Sequence, residues 1–138
     1  MKKKSAIIAE NSLIIAMMTK LELEKSGINV VGTVNNYDDF IKIYNKYQPS
    51  LIFIDIHLEG MYKGINTIQK ISHSGNSDII FLLTYYNNQV QQKLKDIQGY
   101  QYLKKPFDDV EIQSLLSQYF PIEKGFKKEV KASISQQS

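Results

Sequence analysis

Residues 51–56 read LIFIDI, a run of apolar side chains interrupted only by Asp55. A strand that is apolar on both faces belongs in the middle of a parallel sheet, covered by helices on each side. The acid within it cannot lie unpaired in a dry interior, since burying a lone carboxylate costs on the order of several kcal/mol. At the carboxyl end of a parallel strand, however, it faces the crevice where such sheets place their chemistry. One short segment thus predicts both an architecture and a place to look for function.

The remaining sequence repeats the alternation that this strand requires. Ser5 to Ala9 (SAIIA) reads as a buried strand, and residues 12–26 carry Leu13, Ile14, Met17, Met18 and Leu21 at helical spacing before Gly27 stops the helix. Ile28 to Val34 is a second strand. Asn36 can cap the next helix, with Asp39 in its first turn and Phe40, Ile41, Tyr44 and Tyr47 on its apolar face, and Pro49 ends it. Beyond LIFIDI, Ile65, Ile68 and Ile71 repeat at helical spacing. Ile79 to Leu83 is another continuous apolar strand, residues 88–97 form a polar helix through Val90, Leu94 and Ile97, and Tyr100 to Leu103 is a fifth strand. Asp108 followed by Glu111 opens a last helix with Val110, Ile112, Leu115, Leu116 and Tyr119 on its apolar side. Five βα units in about 120 residues predict an α/β fold, a flavodoxin-like doubly wound sheet of five parallel strands. The folded part is expected over residues 1–120, with a polar tail over 121–138.

Composition removes several function classes. With no cysteine there is neither a disulfide nor a thiolate metal site, which suits a reducing cytoplasm. The three lysines at positions 2–4 followed by apolar residues imitate a secretory signal, but Glu10 and Asn11 interrupt the run. No segment approaches the ~18 apolar residues of a membrane span. The net charge of +3 comes from lysines near both ends, read as solvated rather than as a nucleic-acid or membrane contact. The expectation is a cytoplasmic protein, complete in itself.

Strand ends gather the residues with chemistry. The first strand ends in Glu10-Asn11, the third carries Asp55, and the fifth runs into Lys104-Lys105-Pro106. Oxygen ligands around a carboxylate suit a hard divalent cation such as Mg²⁺, and a lysine beside them suits a phosphoryl group. The plainer alternative makes Asp55 a loop cap and Lys105 a surface charge. Each residue alone fits that alternative, while their joint placement at strand ends favours a site. His73 has no partner for a metal site, and no Ser-His-Asp or His-Glu-x-x-His pattern is present. Asp55-Ile56-His57 lacks the second aspartate of a haloacid-dehalogenase-type phosphatase.

The segments DIHLEGMYKGI (Asp55 to Ile65) and YLKKPF (Tyr102 to Phe107) make the chain resemble the receiver domain of bacterial response regulators. The first is similar to the phosphorylation loop of a receiver subclass, and the second to the family's Tyr/Phe-Leu-x-Lys-Pro-Phe block. The ungapped likeness runs from residue 5 to about 120. The resemblance implies that Asp55 accepts a phosphoryl group from a histidine kinase or phosphotransfer protein. Lys105 would contact that group, and Pro106, in a cis peptide, would shape the loop. Mg²⁺ would be held by Glu10, Asn11, Asp55 and the backbone of His57. Tyr102 matches an aromatic that moves inward on activation in the family.

Two positions depart from the family pattern. Asn11 replaces the second acid of the acidic pair, so the Mg²⁺ site is expected to be weakened. Leu83 occupies the place of a hydroxyl residue, with Thr84 in that of a small one. A one-residue bulge could bring Thr84 into the hydroxyl position, but the spacings to Asp55 and Lys105 favour Leu83. His57 either lines the site mouth or is an ordinary loop histidine. Tyr85 and Tyr86 either shield an acyl phosphate or simply pack. The leading expectation is a stand-alone receiver, not an enzyme beyond its own phosphorylation and dephosphorylation, that signals through an unknown downstream protein. The face of helix four, strand five and helix five, around Val90, Leu94, Tyr100, Tyr102 and Leu115, would serve for output and admits a homodimer. A kinase would meet helix one. The alternative is a pseudo-receiver, an interaction module independent of phosphorylation.

Overall fold

Continuous apolar runs become the inner strands and amphipathic runs the helices in the computed structural model, which describes residues 4–71 and 76–119. The strands are β1 (Ser5–Ala9), β2 (Asn29–Val34), β3 (Leu51–Asp55), β4 (Asp78–Leu83) and β5 (Gln101–Lys104). The helices are α1 (Leu13–Lys25), α2 (Tyr37–Tyr47), α3 (Lys63–Ile71), α4 (Asn88–Leu94) and α5 (Asp109–Leu116). All strand pairs are parallel, in the order β2-β1-β3-β4-β5. This is the flavodoxin-like doubly wound order, whose winding reverses between β1 and β3 and opens a crevice at their carboxyl ends.

Both faces of the sheet are covered, as the composition of LIFIDI requires. Ile7, Ala9, Ile52, Ile54, Phe81 and Leu83 share one core with Phe40 and Tyr44 of α2, Ile65, Ile68 and Ile71 of α3, and Val90 and Leu94 of α4. The alternating set Ala6, Ile8, Leu51, Phe53, Ile80 and Leu82 is buried on the opposite face. Every residue of β3 is buried, Asp55 included.

The helix starts follow their caps. The Asn36 side chain accepts the Asp39 N–H at 2.8 Å, and Asn87 accepts the Val90 N–H at 3.0 Å. The helix predicted over residues 88–97 ends at Leu94, where a turn follows in which the Ile97 N–H bonds the Leu94 carbonyl. Val31 is an extra residue on β2, because Ala6 pairs with Val30 but Ile7 pairs with Gly32. Tyr47, expected on the apolar face of α2, is exposed.

The α1 helix differs most from its sequence reading. Leu13, Ile14, Met17 and Leu21 are 57–80% exposed, and Ala16, Thr19, Glu22 and Leu23 are buried instead. Both sets obey helical spacing, so periodicity alone could not choose between them. The buried set includes a small residue and a threonine whose hydroxyl satisfies itself on the Ile15 carbonyl at 2.7 Å. The larger apolar side chains Leu13, Ile14, Met17 and Leu21 are left on the outside, and Leu23 alone of the α1 leucines is buried.

The chain divides between Phe107 and Asp108 into two compact units. In the second, Asp108 caps α5 by accepting the Glu111 N–H at 2.8 Å, and Ile112, Leu115 and Leu116 are buried while Val110 is exposed. His73 and the tail over 121–138 lie outside the described residues. Among those residues no helix is long and apolar enough to cross a membrane.

Candidate functional site

Strand register assembles the site. Ala9 pairs with Ile54, so Glu10 and Asp55 stand one step further along two adjacent strands. Asp55 pairs with Leu82 and Leu82 with Leu103, so Asp55 and Lys105 have the same phase in the sheet. The ladder continues beyond the strands: the Glu10 N–H bonds the Val34 carbonyl at 2.9 Å, Ile56 bonds Leu82 at 3.1 Å, and Lys105 bonds Leu83 at 2.7 Å. These bonds fix the three backbones, and the side chains converge. The Lys105 ammonium lies 2.9 Å from Glu10 Oε1 and also pairs with Asp55 Oδ2. The remaining carboxylate oxygens are held by backbone donors, Glu10 Oε2 by the Ser12 N–H at 2.7 Å and Asp55 Oδ1 by the His57 N–H at 2.6 Å.

The loop after β3 is tied down at several points. The Leu58 N–H bonds the Asp55 carbonyl, Gly60 bonds His57, and Gly64 bonds Ile56 at 3.0 Å. Gly64 opens α3 directly against the end of β3, where any Cβ would collide with the Asp55 carbonyl oxygen. Glu59 and Tyr62 adopt left-handed backbone, with φ of 64° and 58°. Conformations of that kind cost about 1 kcal/mol or more and need outside support. Glu59 finds it by accepting the Tyr37 N–H at the start of α2, at 3.0 Å. Tyr62 donates its N–H to His57 Nδ1 at 2.9 Å, with the two rings 4.9 Å apart. His57 is therefore an exposed residue whose ring braces this loop. The sequence reading missed both the Glu59 contact and the role of Gly64; a glycine at the start of a helix immediately after a site loop is the signal for the latter.

The electrostatics follow from one cation between two acids. Burial raises the Glu10 carboxyl above its ordinary value of 4.5, and Asp55 adds to that, while the Ser12 N–H and Lys105 hold it down. Burial pulls the Lys105 ammonium downward, but its bonds to Asp55 and Glu10 outweigh this and its pKa is raised. Lys105 stays charged at neutral pH. The donors at this end of the sheet are all oxygen: two carboxylates, the amide of exposed Asn11 and the His57 carbonyl. That set fits a hard cation with water completing its shell. Among the described residues no group of three or more His, Cys, Asp or Glu side chains gathers as a metal site.

The second cluster lies on the other face of β4. Its pairing with β3 and β5 has no shift, so Leu83 keeps its place, 1% exposed in the core with Val90 and Leu94. Thr84 is exposed and, with His57, Tyr62, Tyr85, Asn87 and Val90, lines an open pocket of about 190 Å³. Tyr102, 37% exposed, is stacked on Tyr86 with ring centroids 4.0 Å apart. The Tyr86 and Tyr100 hydroxyls are 2.6 Å apart, and Tyr100 meets Phe81 edge-on. The Lys105–Pro106 peptide is cis. Nothing in the sequence pattern announced this tyrosine cluster, because its members come from separate elements.

Comparison with known proteins accounts for the arrangement. The response regulator receiver domain family matches residues 6–117, and the chain belongs to that family. It is 31% identical over 87 residues to the sensory transduction protein LytT of Oceanobacillus iheyensis, covering 62% of this chain and 35% of that protein. It is 22% identical over 104 residues to the transcriptional regulatory protein PdtaR of Mycobacterium tuberculosis, covering 75% of this chain and 50% of that one. The chain therefore spans half or less of the length of these two relatives. In structure it is similar to the chemotaxis response regulator CheY4 of Vibrio cholerae, with a TM-score of 0.74 at 18% identity, covering 85% of this chain and 98% of that one. Receivers of this family are generally signalling modules rather than enzymes. They generally bind Mg²⁺ at the phosphorylation site and interact with kinases or phosphotransfer proteins and with downstream proteins.

Proposed function

We propose that Asp55 accepts a phosphoryl group from a histidine kinase or phosphotransfer protein, and that the phosphorylated chain signals by binding another protein. The observation that carries this reading is the Lys105 ammonium set between the Glu10 and Asp55 carboxylates at the carboxyl ends of parallel strands. An Asp55 oxygen attacks the phosphorus of a phosphohistidine; the O–P bond forms as the N–P bond breaks, and the imidazole leaves with a proton from water. Lys105, already charged, pairs with the incoming phosphoryl oxygens. Mg²⁺, held by Glu10, Asn11, Asp55 and the His57 carbonyl, would offset phosphoryl charge when bound. The only covalent chemistry on this reading is phosphorylation and dephosphorylation of Asp55 itself. We assign residues 1–120 to the receiver, an assignment the family match over residues 6–117 supports.

The exposed stripe of Leu13, Ile14, Met17 and Leu21 on α1 supports a docking role, since contiguous apolar surface marks interaction sites. We assign it to the kinase or phosphotransfer partner. Output is assigned to the surface of α4 and β5, through a downstream protein or a second copy of the chain. A second reading, the pseudo-receiver, is favoured by Leu83, which has no hydroxyl to offer a phosphoryl oxygen, and by Asn11 in place of an acid.

The deciding experiment is incubation with acetyl phosphate and Mg²⁺ followed by intact mass, with Asp55→Asn as control. One added phosphoryl group that disappears in the variant supports the receiver reading. No added mass at high Mg²⁺ refutes it in favour of the pseudo-receiver.

A further inference from the structure

Left-handed backbone favours glycine or asparagine, yet residue 59, with φ of 64°, is a glutamate. It is exposed, so packing does not hold it there. Its carboxylate instead accepts a bond from 22 residues back in the chain, the Tyr37 N–H at 3.0 Å. Tyr37 is the first residue of α2, and its N–H is one of the donors a helix leaves without an intrahelical partner. The α2 helix does not need this acid in order to start. Asn36 caps it on the Asp39 N–H, and Asp38 and Asp39 already set negative charge in its first turn. The bond therefore matters more to the loop after β3 than to the helix.

That loop carries the His57 peptide. Its N–H donates to Asp55 Oδ1 at 2.6 Å, and its carbonyl accepts the Gly60 N–H at 2.9 Å. The Gly60 N–H belongs to the peptide between residues 59 and 60, so the dihedral angles of Glu59 aim it. Leu58, 1% exposed, fixes the inner side of the turn in the core, and Glu59 ties its outer side to α2. If residue 59 relaxed out of its left-handed conformation, the peptide after it would swing and the Gly60 N–H would leave the His57 carbonyl. A second hold falls on the same α2 residue, because the Lys70 ammonium of α3 lies 4.7 Å from the centre of the Tyr37 ring. We infer that Glu59 is a positioning residue: anchored on the α2 N-terminus, it holds the turn that presents the His57 N–H to Asp55 and the His57 carbonyl to a divalent cation. Its consequence for Mg²⁺ rests on the reading of Asp55 as phosphoacceptor; the anchor itself does not.

Substitutions at position 59 in the full chain separate the contact from the conformation. Glu59→Gln keeps an acceptor oxygen, Glu59→Ala removes it, and Glu59→Gly removes it while easing the left-handed backbone. In EDTA, amide hydrogen exchange at Tyr37 and Gly60 should quicken about three- to tenfold in Glu59→Ala and Glu59→Gly, as loss of one hydrogen bond predicts. Glu59→Gln should restore most of the protection. Tyr37→Pro deletes the donor at a helical position that accepts proline, after an Asn36 that is already extended. It should quicken Gly60 as Glu59→Ala does, and the double variant should add little; effects that multiply overturn the contact. By calorimetry, Mg²⁺ should bind about tenfold more weakly in Glu59→Ala and Glu59→Gly, the lower end for residues that orient a metal ligand, and near the parental value in Glu59→Gln. Exchange that quickens at Tyr37 alone makes Glu59 a helix cap and overturns the positioning role, as does a Glu59→Gly variant with the parental rate at Gly60. Quickened exchange at Gly60 with unchanged Mg²⁺ affinity overturns the consequence for the cation. Should the parent bind no Mg²⁺, the metal reading fails separately, and exchange at Gly60 alone decides the anchor.

Discussion

Removing the cation from the Glu10–Asp55–Lys105 cluster should cost far more than removing a surface lysine. The side chains of Glu10 and Asp55 are only 1% and 9% exposed, and that of Lys105 is 19% exposed. In Lys105→Met the two carboxylates keep one backbone N–H each, from Ser12 and His57, and face each other without a positive charge. Breaking a buried ion pair from one side costs about 3–5 kcal/mol, and the partial exposure of Lys105 puts the loss near the lower end, ~3 kcal/mol. For a domain of this size that lowers the thermal midpoint by about 12 °C. The assay is thermal unfolding followed by circular dichroism in EDTA. The deficit must also depend on pH in one direction. Burial already raises Glu10, and the lysine that holds it down is gone, so the folded variant takes up a proton more readily than the unfolded chain. The stability gap to the parent should therefore narrow as pH falls from neutral toward the ordinary glutamate value of 4.5. A deficit under about 1 kcal/mol, the range of exposed pairs, or one that ignores pH over that window, would refute the buried three-charge cluster.

Gly64→Ala gains about 1 kcal/mol of helix propensity but forces a methyl against the Asp55 carbonyl; overpacking of about 3 kcal/mol should leave a net loss near 2 kcal/mol, read from the urea midpoint, and a stabilised variant would refute the close approach. Asn11→Asp should tighten Mg²⁺ about tenfold by calorimetry, since it adds one formal charge to the oxygen set; an unchanged affinity would remove Asn11 from it. Tyr100 is pushed up to about 12 by burial first and then by its Tyr86 contact, so in an alkaline ultraviolet titration its ionisation should appear well above the ordinary tyrosine value of 10. Because the unfolded chain loses that proton first, stability should decline as pH rises from the ordinary 10 toward 12, and a Tyr100 that ionises at the ordinary value would contradict the contact. Beryllofluoride with Mg²⁺, as a phosphoryl mimic, should leave the Tyr102 ring stacked on Tyr86; displaced ring resonances would show that Leu83 does not interrupt the coupling.

What could be read from the sequence was whatever depends on neighbours along the chain. LIFIDI and IIFLL marked inner strands because a run apolar on both faces has few other homes. Asn36 and Asp108 marked helix starts because a cap acts within three residues. The meeting of Glu10, Asp55 and Lys105 was legible too, since a parallel sheet brings strand ends together and each residue stood at one. The buried side of α1 was not, because two sets of residues share its period and only tertiary packing chooses between them. Nor was the Tyr86–Tyr102 stack, whose partners are separated by α4 and chosen by side-chain geometry. The task of Gly64 was not legible either, because it depends on how closely α3 approaches β3.

The alternation of the sheet also bears on how such a receiver can pass its signal on. Asp55 and Lys105 have the phase of Leu82 and Leu103, whereas Leu83 and Tyr102 belong to the opposite face. A phosphoryl group on Asp55 can influence the Tyr102 side through the side chain at position 83 or through the backbone bonds of Ile56 to Leu82 and Lys105 to Leu83. A leucine makes no hydrogen bond to the phosphoryl group. The backbone bonds are already formed at 3.1 Å and 2.7 Å, and pulling β4 inward would have to strain them against a packed core. On the proposed reading, the change that phosphorylation would make most directly is therefore the one at Asp55 itself: added negative charge and a re-paired Lys105. A partner that distinguishes the two states should touch the strand ends beside Asp55 and Lys105, and a partner that binds only the Tyr102 side should bind both states nearly alike.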